Sequence, residues 1–99
     1  MDLKYTARTI RDIEIEKKRP ITDAIGVYSM ENIVYLVQKG LSCDEETAFA
    51  KIEEFLALGN DTTEIYLQVM ESLQRDGFLP KALNINDLRA KMQEKVASL

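Results

Sequence analysis

The sequence predicts an all-α fold, a small single-domain bundle of about five helices around a central apolar helix. Three observations carry this reading. Apolar residues recur at three- and four-residue spacings through most of the chain. Residues that start helices, and glycines or prolines that stop them, punctuate those stretches. One segment, Ser29 to Leu41, is the most apolar of all, with Met30, Ile33, Val34, Val37 and Leu41 on one broad helical face and Tyr35 and Leu36 adding apolar surface beside it. A short helix that is apolar on most sides is expected at the centre of a small domain. The chain has 99 residues, enough for a single core that buries roughly 60–70% of the unfolded surface, and too few for a deep, dry catalytic cavity as well.

Taken in order, Leu3, Tyr5 and Ala7 alternate with polar residues, which suggests a short strand or a tethered extended arm. From Thr6, a plausible N-cap, the period becomes helical with Ala7, Ile10 and Ile13 on one side. Lys17, Lys18 and Arg19 suit the negative end of that helix, and Pro20 prevents its continuation. Pro20 can open a further one- or two-turn helix that faces Ile21, Ala24 and Ile25 inward and breaks at Gly26. Ser29 is the expected cap of the central helix, and Lys39-Gly40-Leu41 its expected stop, with Gly40 in the left-handed conformation.

Ser42 to Glu45 reads as a capping box for the next helix, whose stripe is Ala48, Phe49, Ile52, Phe55 and Leu56 and which ends at Gly59-Asn60. Asp61 and Glu64 open another helix, with Ile65, Tyr66, Val69, Met70 and Leu73 inward, Gly77 as its left-handed stop and Phe78 folding back. Residues 81–86 form a linker, and Asn86 is the expected cap of a last helix over Asp87–Ala97. In that last stretch Ile85, Leu88, Met92, Val96 and Leu99 make a narrow heptad-like seam. The organisation expected is a helical core domain over 1–82, followed by an amphipathic C-terminal helix over 83–99 that docks on the core or on a partner. The seam is the candidate partner-binding surface, and it can equally pair two copies of the chain.

Composition narrows the function classes. The chain carries no histidine and a single cysteine, Cys43, which removes the commonest general base, a Cys/His zinc site and any internal disulfide. There is no Gly-rich phosphate loop. No catalytic, metal-binding or cofactor-binding residue is assigned, and an enzyme is not expected. Glu45/Glu46 and Glu53/Glu54 read as a solvated face rather than catalytic pairs. No apolar run is long enough for a membrane span, and no secretory signal is visible at the N-terminus.

The net charge of −4 is unevenly spread. Residues 1–40 carry seven basic and six acidic groups, residues 41–80 two and nine, and residues 81–99 four and two. The acidic middle argues against nucleic acid as a partner. A helix-turn-helix reading at Lys39–Ser42 is disfavoured on the same ground, because Asp44, Glu45 and Glu46 would face phosphates.

With the helices placed, the order of features resembles the tail assembly chaperones of long-tailed bacteriophages and prophages. The resemblance runs from Leu3 to Lys81 through LKYTARTIRDIEIEKKRPI, ITDAI, MENIVYLVQKGL, DEETAFAKIEEFL and EIYLQVMESLQRDGFLPK. None of these is a strict signature; their order and spacing carry the likeness. It implies a non-catalytic protein of the host bacterial cytoplasm, absent from the mature virion. Such a protein binds the tape measure protein and keeps it soluble until the major tail tube protein polymerises around it. In many relatives a frameshift near the end of the gene adds a second domain. The family brings no ligand or catalytic residue to transfer. The alternatives from other classes are a small helical DNA-binding regulator and an adaptor subunit or toxin–antitoxin partner.

Overall fold

The computed structural model describes the backbone of residues 1–97 and the side chains of residues 1–91. It holds six α-helices and no strand among those residues: α1 (Ala7–Lys17), α2 (Ile21–Ala24), α3 (Met30–Leu41), α4 (Glu45–Ala57), α5 (Thr62–Arg75) and α6 (Ile85–Ala97). The single turn α2 is the short helix expected after Pro20, and with it the helices number six where about five were expected. The centre is α3, which packs against α1, α4 and α5, while α2 lies on α1 and α6 on α5. The radius of gyration, 13.2 Å, is what a single domain of this length adopts (about 13 Å for 100 residues), so all six helices share one core.

Local chemistry explains the helix starts. Thr6, Ser29, Asp44 and Asp61 each sit in extended backbone and accept the N–H of the residue three further on, at Thr9, Asn32, Thr47 and Glu64. Asn84 does the same for the Asp87 N–H at 3.1 Å. Two of these differ from expectation. Asp44, not Ser42, caps α4, and Asn84, not Asn86, caps the last helix. In both cases a competing cap lay within two residues, and the backbone of the preceding turn chose between them.

The central helix ends differently from its expected Gly40 stop. Gly40 remains helical and buried, and Ser42 takes the left-handed conformation at φ 53°. The Cys43 N–H then reaches the Gln38 carbonyl at 3.2 Å and the Ser42 N–H the Lys39 carbonyl at 3.3 Å, the double closure of a Schellman end. The same pair of bonds closes α5, from Phe78 to Leu73 and from Gly77 to Gln74, with Gly77 at φ 94°.

Gly40 is needed elsewhere. The N-terminal arm runs extended over α3 and buries Leu3 and Tyr5. A Cβ on Gly40 would lie 2.7 Å from the Tyr5 hydroxyl and 2.8 Å from Leu3 Cδ2. The arm is tied down along its length. The Lys4 N–H donates to the Gly40 carbonyl at 2.9 Å, the Tyr5 hydroxyl to the Leu36 carbonyl at 2.7 Å, and the Tyr5 N–H to Asp76 Oδ2 at 2.8 Å. Arg75 donates to the Leu3 carbonyl. Of the two readings of this stretch, strand or tethered arm, the arm is the one found.

The core runs from the arm through Ile10 and Ile13 of α1, Ile33, Leu36 and Val37 of α3, and Ile65, Leu67, Val69 and Leu73 of α5. Its one buried amide is satisfied: Asn32 Nδ2 donates to the carbonyls of Ala24 at 2.9 Å and Val27 at 2.8 Å, fixing the α2–α3 corner. No helix among the described residues is long and apolar enough to cross a membrane.

Candidate apolar groove

The C-terminal seam is in part already occupied. Ile85 is buried in the domain's own core, and Leu88 is half-buried against it. Arg89 pairs with Glu64 and lies 3.7 Å from Glu71, both on α5. Gln74 ties down the segment before α6 by donating to the carbonyls of Pro80 at 3.0 Å and Leu83 at 2.6 Å. The start of α6 therefore faces α5. Met92, Val96 and Leu99 lie outside the described side chains.

Large apolar residues are exposed at several places, Ile15, Val27, Tyr28 and Leu58 among them, and two, Met30 and Phe49, border one groove. Met30, expected on the inward face of the central helix, is 45% exposed, and Phe49, expected in the stripe of α4, is 37% exposed. Both border a groove of ≈ 330 Å³ between the end of α1, α3 and the start of α4, lined by Lys17, Met30, Glu31, Val34, Tyr35, Gln38, Glu45 and Phe49. The reason is geometric. In α4 only Ala48 and Ile52, one turn apart, are fully buried. Phe55 and Leu56 pack partly on the core, whereas Phe49, rotated about 100° from Ala48, is turned out of it. The stripe was read as wider than the contact it serves. The available signal was the company Phe49 keeps: Glu45 and Glu53 sit one turn to either side of it and Glu46 three residues before.

One wall of the groove is cross-bonded between α1 and α3. Glu16 on α1 accepts from the Tyr35 hydroxyl and from Lys39 Nζ, each at 2.9 Å, through its two oxygens. Lys17 Nζ stands 4.2 Å from the centre of the Tyr35 ring, a cation–π distance. The bond from Lys39, then that from Tyr35, holds the Glu16 carboxyl below its ordinary range. Burial, and then the bond to Glu16, pushes the Tyr35 phenol up. Both groups keep their neutral-pH charge states and spend their hydrogen-bonding capacity on each other, so neither is poised to move a proton.

Burial, then the charge of Asp44, pushes the Cys43 thiol up, the reverse of what activates a nucleophile. Among the described residues no group of three or more acidic or sulfur ligands is gathered for a metal. Among them, too, no buried side-chain polar atom lacks a partner. The groove combines the apolar side chains of Met30, Val34 and Phe49 and the Tyr35 ring with Lys17, Glu31, Gln38 and Glu45. No protein-family model, no curated protein and no solved structure matches the chain.

Proposed function

We propose that this chain is a tail assembly chaperone of a long-tailed bacteriophage or prophage, a non-catalytic binding module for the tape measure protein in the bacterial cytoplasm. The observation that carries the reading is a groove on a helical domain where Met30 and Phe49 are exposed beside free carboxylates. A chaperone for an extended helical client needs exposed apolar contacts, and charge around them to remain soluble. Met30 and Phe49 supply the first, and the glutamates of α4 the second. The ordered likeness from Leu3 to Lys81 supplies the family.

The test is co-expression of the chain with a tape measure fragment from the same genome, followed by separation of soluble and pelleted material. The proposal expects the fragment to move into the soluble fraction and to co-purify with the chain. A fragment that pellets equally with and without the chain contradicts it. The major tail tube protein, added afterwards, is expected to displace the chain from the fragment.

A further inference from the structure

The groove names the chemistry of its occupant. We infer that it receives a basic amphipathic helix, whose apolar side packs on Met30 and Phe49 and whose lysines or arginines meet the carboxylates around them. The inference rests on reading the chain as a binding module, and specifies what that module selects.

Three observations support it. First, the two apolar anchors are exposed on different helices, α3 and α4, that face one another across the groove. A helix laid between them covers both, as in helix-in-groove recognition. Second, the charges around Phe49 are of one sign. Glu45, Glu46 and Glu53 share its side of α4, and Glu31 lines the facing wall. Lys51, the one basic residue of α4, is rotated about 200° away from Phe49. Third, these four carboxylates are exposed, and none is in an ion pair among the described residues, whereas Glu16 and Glu64 are both paired. Among the described residues the cations at the groove are Lys17, over the Tyr35 ring at its α1 end, and Lys39 beyond the same ring, which is paired with Glu16. A basic helix thus meets unspent negative charge along α4, and an acidic one meets repulsion there.

The experiment uses the whole chain and two fluorescein-labelled model helices, each about 18 residues, long enough to be helical. One pairs a leucine face with lysines, the other pairs the same face with glutamates. Fluorescence anisotropy is read at low and at physiological salt, on the native chain, on Phe49→Ser and on the double variant Glu45→Lys/Glu53→Lys. The positions changed are exposed, and far-ultraviolet circular dichroism with a thermal melt verifies that each variant is folded.

The native chain is expected to bind the lysine helix at least about tenfold more tightly than the glutamate helix, and Phe49→Ser to weaken that binding about tenfold. The double variant is expected to reduce the preference and its salt dependence together. Equal binding of both helices, binding of neither, or binding of the lysine helix that both variants leave intact overturns the inference. Concentration-dependent light scattering, lost in Phe49→Ser, would assign the groove to a second copy of the chain and overturn it too. Because no tape measure fragment enters this assay, its failure is distinct from failure of the co-expression test.

Discussion

At the scale of single residues, Gly40 ties sequence to architecture most tightly. A glycine inside a helix ordinarily costs about 0.5–1 kcal/mol relative to alanine. Helix propensity alone therefore predicts that Gly40→Ala stabilises the protein. The fold predicts the opposite. An alanine Cβ would meet Tyr5 and Leu3 at under 3 Å, and neither side chain can swing clear, since both are buried and the Tyr5 hydroxyl is bonded to Leu36. Overpacking of this kind costs about 1–3 kcal/mol, so urea unfolding should show a net loss of about 1–2 kcal/mol, with faster chymotrypsin cleavage after Tyr5. A neutral or stabilising result would mean that the arm does not lie where it is described. The sequence showed Gly40 as a helix stop because glycine serves both purposes with the same letter. Only the arm, some 35 residues away in sequence, decides between them.

At the scale of elements, most of the helices were legible because each carries its own start signal and its own period. The caps Thr6, Ser29 and Asp61 lie where the sequence placed them, as do Ile10 and Ile13 of α1 and the inward stripe of α5, whereas Ala7, expected inward with them, is exposed. What local signals do not contain is how much of a stripe its neighbour covers. α5 buries Leu67 beyond its expected stripe because α3, α6 and the arm surround it. α4 buries less than its stripe because it packs mainly on α3, and the exposed Phe49 follows from that. The candidate groove was thus visible as residues but not as a surface. The last helix gives the test at this scale. If α6 is docked as described, Ile85→Ala should cost about 2–4 kcal/mol in denaturant unfolding, as for a buried large-to-small change. A loss below about 0.5 kcal/mol, the usual range for surface positions, would mean that α6 stands off α5.

For the whole molecule, the pH profile of stability follows from the groups that shift. With no histidine in the chain, the side chains that ordinarily titrate between pH 5 and 8 are absent. Glu16, Asp44 and Asp76 have carboxyls held below their ordinary range. Asp76 owes this first to Arg75 and then to the N–H of Tyr5. A depressed carboxyl contributes stability that is full above its unfolded pKa and lost as the pH falls through the folded one, so the decline should begin below about pH 4.5. On the alkaline side Tyr5, Tyr35, Tyr66 and Cys43 are raised, burial being the first cause in each. Their contribution is full below the unfolded pKa and lost as pH rises beyond it, above about pH 9. Urea midpoints should therefore be level between, and Asp76→Asn should make the acid limb shallower while its remaining oxygen still accepts from Tyr5. A midpoint that slides steadily across neutral pH would contradict this assignment.

The seam and the groove differ in how much of their apolar surface is free. The seam begins with residues already turned to the core, while Met30 and Phe49 face outward beside exposed carboxylates. A helical client is proposed to meet the groove between α1, α3 and α4. The most direct measurement is an amide ¹H–¹⁵N map of the labelled chain during titration with a soluble tape measure segment. The account predicts that the largest shifts fall on Lys17, Met30, Glu31, Tyr35, Glu45 and Phe49, with Ile85 and Leu88 little changed. Shifts concentrated instead on Ile85, Leu88, Met92, Val96 and Leu99, or a map that does not move at all, would contradict it.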